Sequence, residues 1–367
     1  MLSDTGGSKC PESARGDARE FCGEGSVIAV TITHGDLQHL VRRVLGSLLT
    51  QPGIERVVLV TNGVRWDVRS FVEELDPSRI EPVVLDTNRG SAVAYAAGIR
   101  RACDLGAEWI WLLDGDNEPE ERALAELLMA YKRLSQRFCK DNLAVAAYRP
   151  LYQCDLVAGI TPKHLRWRPS CFWGFHVFDL PYRLWRRTPW GRARLRGPLP
   201  YEVELDVAMF GGLLFHRAVV ERHGLPREDF ILYADDSEFT RRITQSGGAV
   251  RLITSAVVND LDDTWETRQG NRFPRWLIGG SPIRVFYSAR NHAYLSKYCF
   301  KRSSVMFWVN RVSFCTIVRI LAMLYGRTDR YRIFKKAVRE GLEGRLGVHP
   351  EYPISEPQPL DRESRTS

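Results

Sequence analysis

A chain of 367 residues can bury a substantial core, and 44% hydrophobic with 26% charged residues is the balance of a globular protein, not of a disordered or fibrous one. A formal charge of +8 suits an anionic partner, either an acidic membrane surface or a nucleic acid, and composition does not choose between them. The 8 cysteines form no C-x-x-C pair, which argues against a zinc site or a disulfide scaffold and makes a reducing cytoplasm the expected setting.

Residues 1–25 lack the apolar core of a signal peptide and are expected to be a disordered tail. Val27-Ile28-Ala29-Val30-Thr31-Ile32 is a β-branched run and predicts a strand. Residues 37–50 carry apolar side chains at 37, 40, 41, 44, 45, 48 and 49, a helical stripe. Val57-Val58-Leu59-Val60 predicts a second strand ending in the turn signal Thr61-Asn62-Gly63. A third strand over 82–85 leads through Asn88-Arg89-Gly90-Ser91 into an alanine-rich helix over 92–105. Trp109-Ile110-Trp111-Leu112-Leu113 reads as a buried strand ending at Asp114-Gly115-Asp116-Asn117, and residues 119–134 read as a helix opened by Pro119. This alternation predicts an α/β fold with a mainly parallel sheet flanked by helices.

In such folds ligands bind at the carboxyl ends of the strands. There the sequence gathers Thr31 and Thr33, Asn62, Asn88 and Gly90, then Asp114 and Asp116. The Asp-Gly-Asp triplet lets two carboxylates approach one hard divalent cation that also takes phosphate oxygens; the alternative is a solvated acidic turn. A calcium loop is excluded, because its sixth position requires Gly and holds Pro119. Asn62 suits paired hydrogen bonds to a pyrimidine edge, against the plainer reading of a turn. Gly90 and Ser91 ahead of a helix suit close approach to a pyrophosphate.

The second half differs. Residues 163–196 hold nine Lys or Arg against one acid, Asp179, interleaved with aromatics that include Trp167, Trp173, Phe178, Trp185 and Trp190. Three readings apply: packing on the rest of the protein, contact with a lipid surface or lipid-linked acceptor, and base stacking in a single-stranded nucleic acid. Further on, Phe230-Ile231-Leu232-Tyr233-Ala234 runs into Asp235-Asp236. One of these carboxylates is expected either to cap a helix, with Glu238 completing a capping box, or to act as a general base, and the two are compatible. Residues 302–347 read as two helices. Arg311 and Arg319 interrupt the apolar stretch 305–325, which is therefore expected to be amphipathic or buried and not spanning, with a bilayer-interface role open to it.

Taken in order, Val30-Thr31-Ile32-Thr33, Asn88-x-Gly90, Asp114-Gly115-Asp116, Phe210-Gly211-Gly212-Leu213-Leu214-Phe215, Tyr233-x-Asp235-Asp236-x-Glu238-Phe239-x-x-Arg242 and Tyr287-x-x-Arg290-Asn291 resemble glycosyltransferase family 2, nearest to its bacterial rhamnosyl- and galactofuranosyltransferases. The resemblance implies a GT-A catalytic domain over 26–300 with a basic aromatic insert at about 151–205. A helical, membrane-associating region over 301–349 and a disordered tail over 350–367 would follow. It also implies Mg²⁺ or Mn²⁺ and an inverting transfer from a dTDP- or UDP-linked sugar, rhamnose or galactofuranose. The acceptor would be a hydroxyl of a glycan or polyprenyl-linked precursor of cell-envelope polysaccharide, on the inner face of the plasma membrane.

Carried over by the resemblance, Thr31, Thr33, Asn62, Asn88, Gly90, Asp114, Gly115 and Asp116 would bind the donor, and Asp114 and Asp116 the metal. Arg290 would offset charge on the departing diphosphate. Asp236 would be the base, with Asp235 the close second, and Gly211, Gly212 and Tyr233 would line the acceptor path. The family's metal-binding His after the base helix is replaced by Asn259-Asp260-Leu261-Asp262-Asp263, so Asp260 or Asp262 is expected to substitute unless this is a solvated loop. His292 reads as a packed residue. A haloacid-dehalogenase-like phosphotransferase expects its Asp-x-Asp after the first strand. A sugar nucleotidyltransferase expects a Gly-rich basic loop where Thr33-His34-Gly35-Asp36 stands. A nucleic-acid partner leaves both acidic clusters without a task and is not expected.

Overall fold

The computed structural model describes residues 25–153, 166–186, 188–194, 199–262, 277 and 281–354. Residues 1–24 and 355–367 of the two expected tails, residues 154–165 and 195–198 of the insert, and Asp263 lie outside the described residues.

The first half alternates as the periodicity predicts. It runs β1 (Val27–Gly35), α1 (Gln38–Thr50), β2 (Ile54–Val64), α2 (Val68–Leu75), β3 (Ile80–Leu85), α3 (Ser91–Asp104), β4 (Trp109–Asp114), β5 (Asn117–Pro119), α4 (Ala123–Leu134) and β6 (Leu143–Tyr148). The insert supplies two short helices, α5 (Leu180–Trp185) and α6 (Pro189–Arg194). There follow β7 (Glu202–Leu205), β8 (Leu213–His216), α7 (Ala218–His223), α8 (Asp235–Gln245) and β9 (Ala249–Asp260). The C-terminal part is helical: α9 (Pro282–Leu295), a π-helical turn Ser296–Phe300, α10 (Ser304–Leu324) and α11 (Thr328–Glu343).

The strands form one nine-stranded sheet in the order β3-β2-β1-β4-β8-β6-β9-β5, with β7 also paired to β9. Its β3-β2-β1-β4 half is parallel, as expected, and β6 runs parallel to β9. The other half makes the sheet mixed instead of mainly parallel: β8 lies antiparallel between β4 and β6, and β5 and β7 run antiparallel to β9. The cause is local, because β8 is entered through Gly212 at φ +88° and not through a crossover helix. Two boundaries also move. The strand expected to stop before Thr61 continues to Val64, and a register shift between His34 and Gly35 absorbs Gly63 at φ +68°. The helix expected from Pro119 starts at Ala123, because residues 117–119 pair with Val258–Asp260; Pro119, lacking an N–H, is tolerated on this outer strand.

Alternation along each strand divides the core. Val27, Ala29, Val57, Leu59, Trp111 and Leu113 pack on the face covered by α1, α2 and α4. Ile28, Val30, Val58, Val60, Ile110 and Leu112 pack under α3 and α8. A third core joins the insert to the C-terminal helices, with Phe172 and Phe175 against Phe286, Phe307, Phe314 and Phe334. The helical unit thus takes in α9, upstream of residue 301. The insert divides between two of its expected readings: Cys171, Phe172 and Phe175 are buried, whereas Phe178, Leu184 and Trp190 are exposed. His292 is packed as expected, stacked on Trp173 with centroids 4.6 Å apart, and its burial lowers its pKa to about 4.

Candidate active site at the acidic sheet edge

Asp114 ends β4 because residues 110–113 before it are buried and the chain can present a charge only on leaving the sheet. Three residues that sequence reasoning missed surround it. Tyr95 of α3 donates to Asp114 Oδ1 at 2.6 Å, and the Asp114 N–H donates to Asn117 Oδ1 at 3.1 Å. Arg149, just beyond β6, donates from Nη1 to Asp114 Oδ2 at 3.2 Å and from Nε to Asp260 Oδ1 at 3.0 Å. Its burial alone would weaken its charge, but Asp114 and Asp260 together raise its pKa. Asn117 Nδ2 reaches Asp116 at 3.1 Å and Asp260 at 2.9 Å, tying the triplet to the end of β9.

The second acidic pair opens α8. The residues before it are strained: Ile231, Tyr233 and Ala234 have φ of 67°, 69° and 61°, which costs about 1–3 kcal/mol each for residues other than glycine. Asn291 of α9 restrains them, donating from Nδ2 to the carbonyls of Phe230, Leu232 and Tyr233 at 2.8, 2.8 and 2.9 Å. Bonds of about 0.5–1.5 kcal/mol each do not balance that strain, so packing must help. It does so through buried Phe230, clustered with Ala92 and Ala234, and through the Ala92 N–H bond to the Ile231 carbonyl at 3.2 Å. The capping box is not formed: Ala234 occupies the cap position without a side-chain bond, and Glu238 pairs with Arg242 at 3.2 Å. Asp235 is buried and accepts from Ser91 Oγ at 3.3 Å, while Asp236 accepts from the Ser237 N–H.

Electrostatics unites the two pairs. Burial first, then the charge of Asp114, raises the pKa of Asp116 to about 7. Burial raises Asp236 to about 6 against the Ser237 hydrogen bonds, and Asp114 adds to the rise. Burial and Asp236 push Asp235 well up, and burial also raises Asp260 despite Arg149. Asp114 thus acts on Asp116, Asp235, Asp236 and Asp260 at once.

Several sequence-derived assignments change. Arg290 does not face this edge: it is buried, bonded to Asn291 Oδ1 at 2.9 Å and to the carbonyls of Gly347 and Phe230, and burial lowers its pKa to about 10. Its task is to bind the C-terminal segment to the strained loop. Asn62 is not free to read a base, since its amide is spent on Asn88 Oδ1 (3.1 Å), the Gly90 carbonyl (3.2 Å) and the Arg89 N–H (2.8 Å). Asn88 also accepts from the Gly90 N–H at 3.0 Å, so these residues shape one another.

By strand alternation Thr31 and Thr33 lie on the face opposite Asn62; both are buried, with hydroxyls lacking a partner. The space beside Gly90 is taken by Ile231, whose carbonyl oxygen would lie 2.1 Å from an added Cβ. A Cβ on Gly211 would lie 2.1 Å from Arg149 Nη1, and one on Gly212 2.8 Å from Ala147 Cβ, so the protein itself fills the room assigned to an acceptor. Gly115 is pressed against the Ile32 carbonyl, and half-buried Tyr233 packs against the third core.

Asp114 and Asp116 offer hard oxygens of the kind a divalent cation takes, and burial together with the Asp114 charge, which raise the Asp116 pKa to about 7, would favour a cation there. Asp260 stands at the same place with one oxygen spent on Arg149 and Asn117 and the other, Oδ2, buried without a partner. Asp262 lies two residues past the end of β9. Among the described residues no group of three or more His, Cys, Asp or Glu is close enough to hold a metal ion without other ligands.

A sheet whose parallel half ends in an acidic pair, faced by a second pair on a helix, is an α/β arrangement suited to a nucleotide-diphosphate ligand. Residues 27–147 match the family described as "Glycosyl transferase family 2". Galactofuranosyltransferase GlfT1 of Mycobacterium tuberculosis is 26% identical over 228 residues, which are 60% of this chain and 66% of that protein. Galactofuranosyltransferase GlfT1 of Mycolicibacterium smegmatis is 25% identical over 233 residues, with the same shares. The chain thus spans just under two thirds of the length of these relatives. A mannosyltransferase of Pyrobaculum calidifontis, solved with GDP-Man and Mn²⁺, is a looser likeness, with a TM-score of 0.45 at 15% identity over 89% of this chain and 93% of that one.

Proposed function

We propose that the protein is a glycosyltransferase that moves a sugar from a nucleotide-diphosphate donor to a hydroxyl acceptor by single displacement with inversion. The observation that carries this reading is the meeting of two carboxylate pairs at one sheet edge, where Asp116, Asp235 and Asp236 all have raised pKa values. Asp114 and Asp116 would hold Mg²⁺ or Mn²⁺, which supplies positive charge to the departing diphosphate. Asp236 receives the acceptor's proton: a base with a pKa near 6 is ionised at neutral pH yet basic enough to accept a proton. Buried Asp235, held by Ser91, keeps its proton more firmly and is the less suited of the two. Tyr95 and Arg149 fix the Asp114 carboxylate, and the Asn62-Asn88 pair fixes the loop ahead of α3.

The names of the relatives above favour galactofuranose over rhamnose as the sugar, and a UDP-linked donor with a cell-envelope glycan or polyprenyl-linked acceptor completes the proposal. A place on the inner membrane surface is supported by α10, which is apolar enough in length and composition to cross a bilayer but has its Phe307, Phe314 and Val318 side in the core. Its other side, with Val305, Trp308, Val312, Ile320 and Met323, would lie in the interface.

The test is calorimetric titration of the protein with UDP-, dTDP- and GDP-linked sugars, with and without Mg²⁺ or Mn²⁺. Metal-dependent binding of one donor, weakened at least ~10-fold (1.4 kcal/mol) in Asp116→Ala, is expected. A folded protein that binds none of them would overturn the proposal.

A further inference from the structure

A cavity of about 390 Å³ has none of the carboxylates of the acidic edge in its lining. Its wall carries four arginines, Arg166, Arg168, Arg241 and Arg302, with Trp167, Phe300 and a single carboxylate, Asp206. Distant segments meet there: residues 166–169 of the insert, the residue after β7, the later part of α8, and the bend between α9 and α10.

That carboxylate is already committed. Asp206 Oδ1 takes Arg166 at 3.0 Å, Oδ2 accepts from the Trp167 N–H at 2.8 Å, and the pairing with Arg241 is stretched to 4.0 Å. Arg166 also meets Glu204 at 2.9 Å and Arg168 meets Asp179 at 2.6 Å, both outside the wall. Arg241 lies over the Phe300 ring at 4.3 Å, and Trp167 packs on the same ring at 4.9 Å, so aromatic surface fixes the guanidinium plane. Burial lowers the pKa of Arg241 against the opposing charge of Asp206, and its Nε and Nη1 also donate to the Cys299 carbonyl at 3.4 Å and Thr244 Oγ1 at 3.2 Å. Planar guanidinium forks held in this way match phosphate oxygens two at a time. The volume lies near the lower end of the roughly 300–1,000 Å³ of small-ligand sites.

We propose that this cavity is a second phosphate-binding site, which takes the phosphate or diphosphate group of a ligand other than the nucleotide donor. The ligand can be a free phosphorylated molecule or a lipid headgroup. The lipid source draws support from Val305 and Trp308, exposed at the start of α10 just past Arg302, where an acyl or prenyl chain would find apolar surface. The inference does not rest on the donor-site reading.

Full-length protein in metal-free buffer would be titrated with inorganic pyrophosphate by calorimetry. It would also be sedimented with phosphatidylcholine vesicles with and without phosphatidic acid. The variants are Arg302→Gln, at an exposed position, and Arg168→Gln/Arg302→Gln, each checked for an unchanged melting temperature. Because a guanidinium bond to a charged oxygen is charge-assisted, binding should weaken at least ~10-fold in Arg302→Gln and further in the double variant. Metal-dependent nucleotide-sugar binding, measured on the same samples, should not change. Loss of pyrophosphate binding alone supports a free phosphate ligand, and loss of phosphatidic-acid-dependent sedimentation supports a headgroup. No binding of either probe by the wild type, or binding that survives both variants, overturns the proposal.

Discussion

The two acidic pairs reach the same edge by opposite routes. Asp114 and Asp116 are delivered by a buried strand whose neighbours in the sheet fix its position. Asp235 and Asp236 are delivered by three left-handed residues that no local preference favours, held by Asn291 from another layer of the molecule. The first pair is thus placed by the sheet and held by side chains beside it, Tyr95, Asn117 and Arg149, whereas the proposed base depends on a strained loop restrained from another layer, and the two should fail differently when perturbed.

The largest expected effect is at the proposed base. Asp236→Asn should lower turnover at least ~100-fold while leaving donor affinity nearly intact, as single-turnover kinetics beside calorimetry would register. Full activity in that variant would move the base to Asp235 or elsewhere.

Asn291→Ala should come next. It removes the side-chain bonds to the Leu232 and Tyr233 carbonyls, while the Phe230 carbonyl keeps Arg290 and the Leu232 N–H, and is expected to destabilise the fold by about 1–3 kcal/mol and to cut turnover ~10-fold, with donor binding less affected. Lowered stability with unchanged turnover would reduce the clamp to a folding role.

The pH profile gives a finer test. Because the pKa of Asp236 is raised to about 6, it is protonated below that pH, so kcat should fall ~10-fold per unit there and level off above pH 7. A profile flat down to pH 5 would contradict this.

The smallest effect concerns stability. A carboxyl whose folded pKa lies above its unfolded value makes the folded state bind more protons, so its contribution declines as pH rises from about 4 to about 7. Asp116→Asn removes that penalty. Without metal it should melt about 2–4 °C above the wild type at pH 8, with the gap closing towards pH 4. An equal gap at both ends would mean that charge is not the cause.

The parallel half of the sheet was legible because each strand and helix there carries its own period, and Asp114 announced itself as a charge ending an apolar run. The same rule applied to Leu143–Tyr148 would have found Arg149, the next residue. The direction of β8 was not legible, because a glycine turn sets it and no periodicity records that. Nor were the tasks of Asn62, Gly211 and Arg290: their residue types fit a ligand, but their partners are protein atoms from segments far along the chain. The strained loop was invisible because Ile231, Tyr233 and Ala234 are not residues that advertise a positive φ.

Arg290 and Gly347 carry a further implication for how the gene tolerates damage. Arg290 grips the Gly347 carbonyl, and the Gly347 N–H donates to the Asp229 carbonyl at 2.7 Å, beside the strained loop. A nonsense or frameshift mutation that removes only the last two helices would therefore cut ties to a loop more than a hundred residues upstream. The C-terminal helices are tied into the fold that carries the strained loop, and the genetic signature expected of such an allele is loss of the folded protein, not mislocalisation of an intact one.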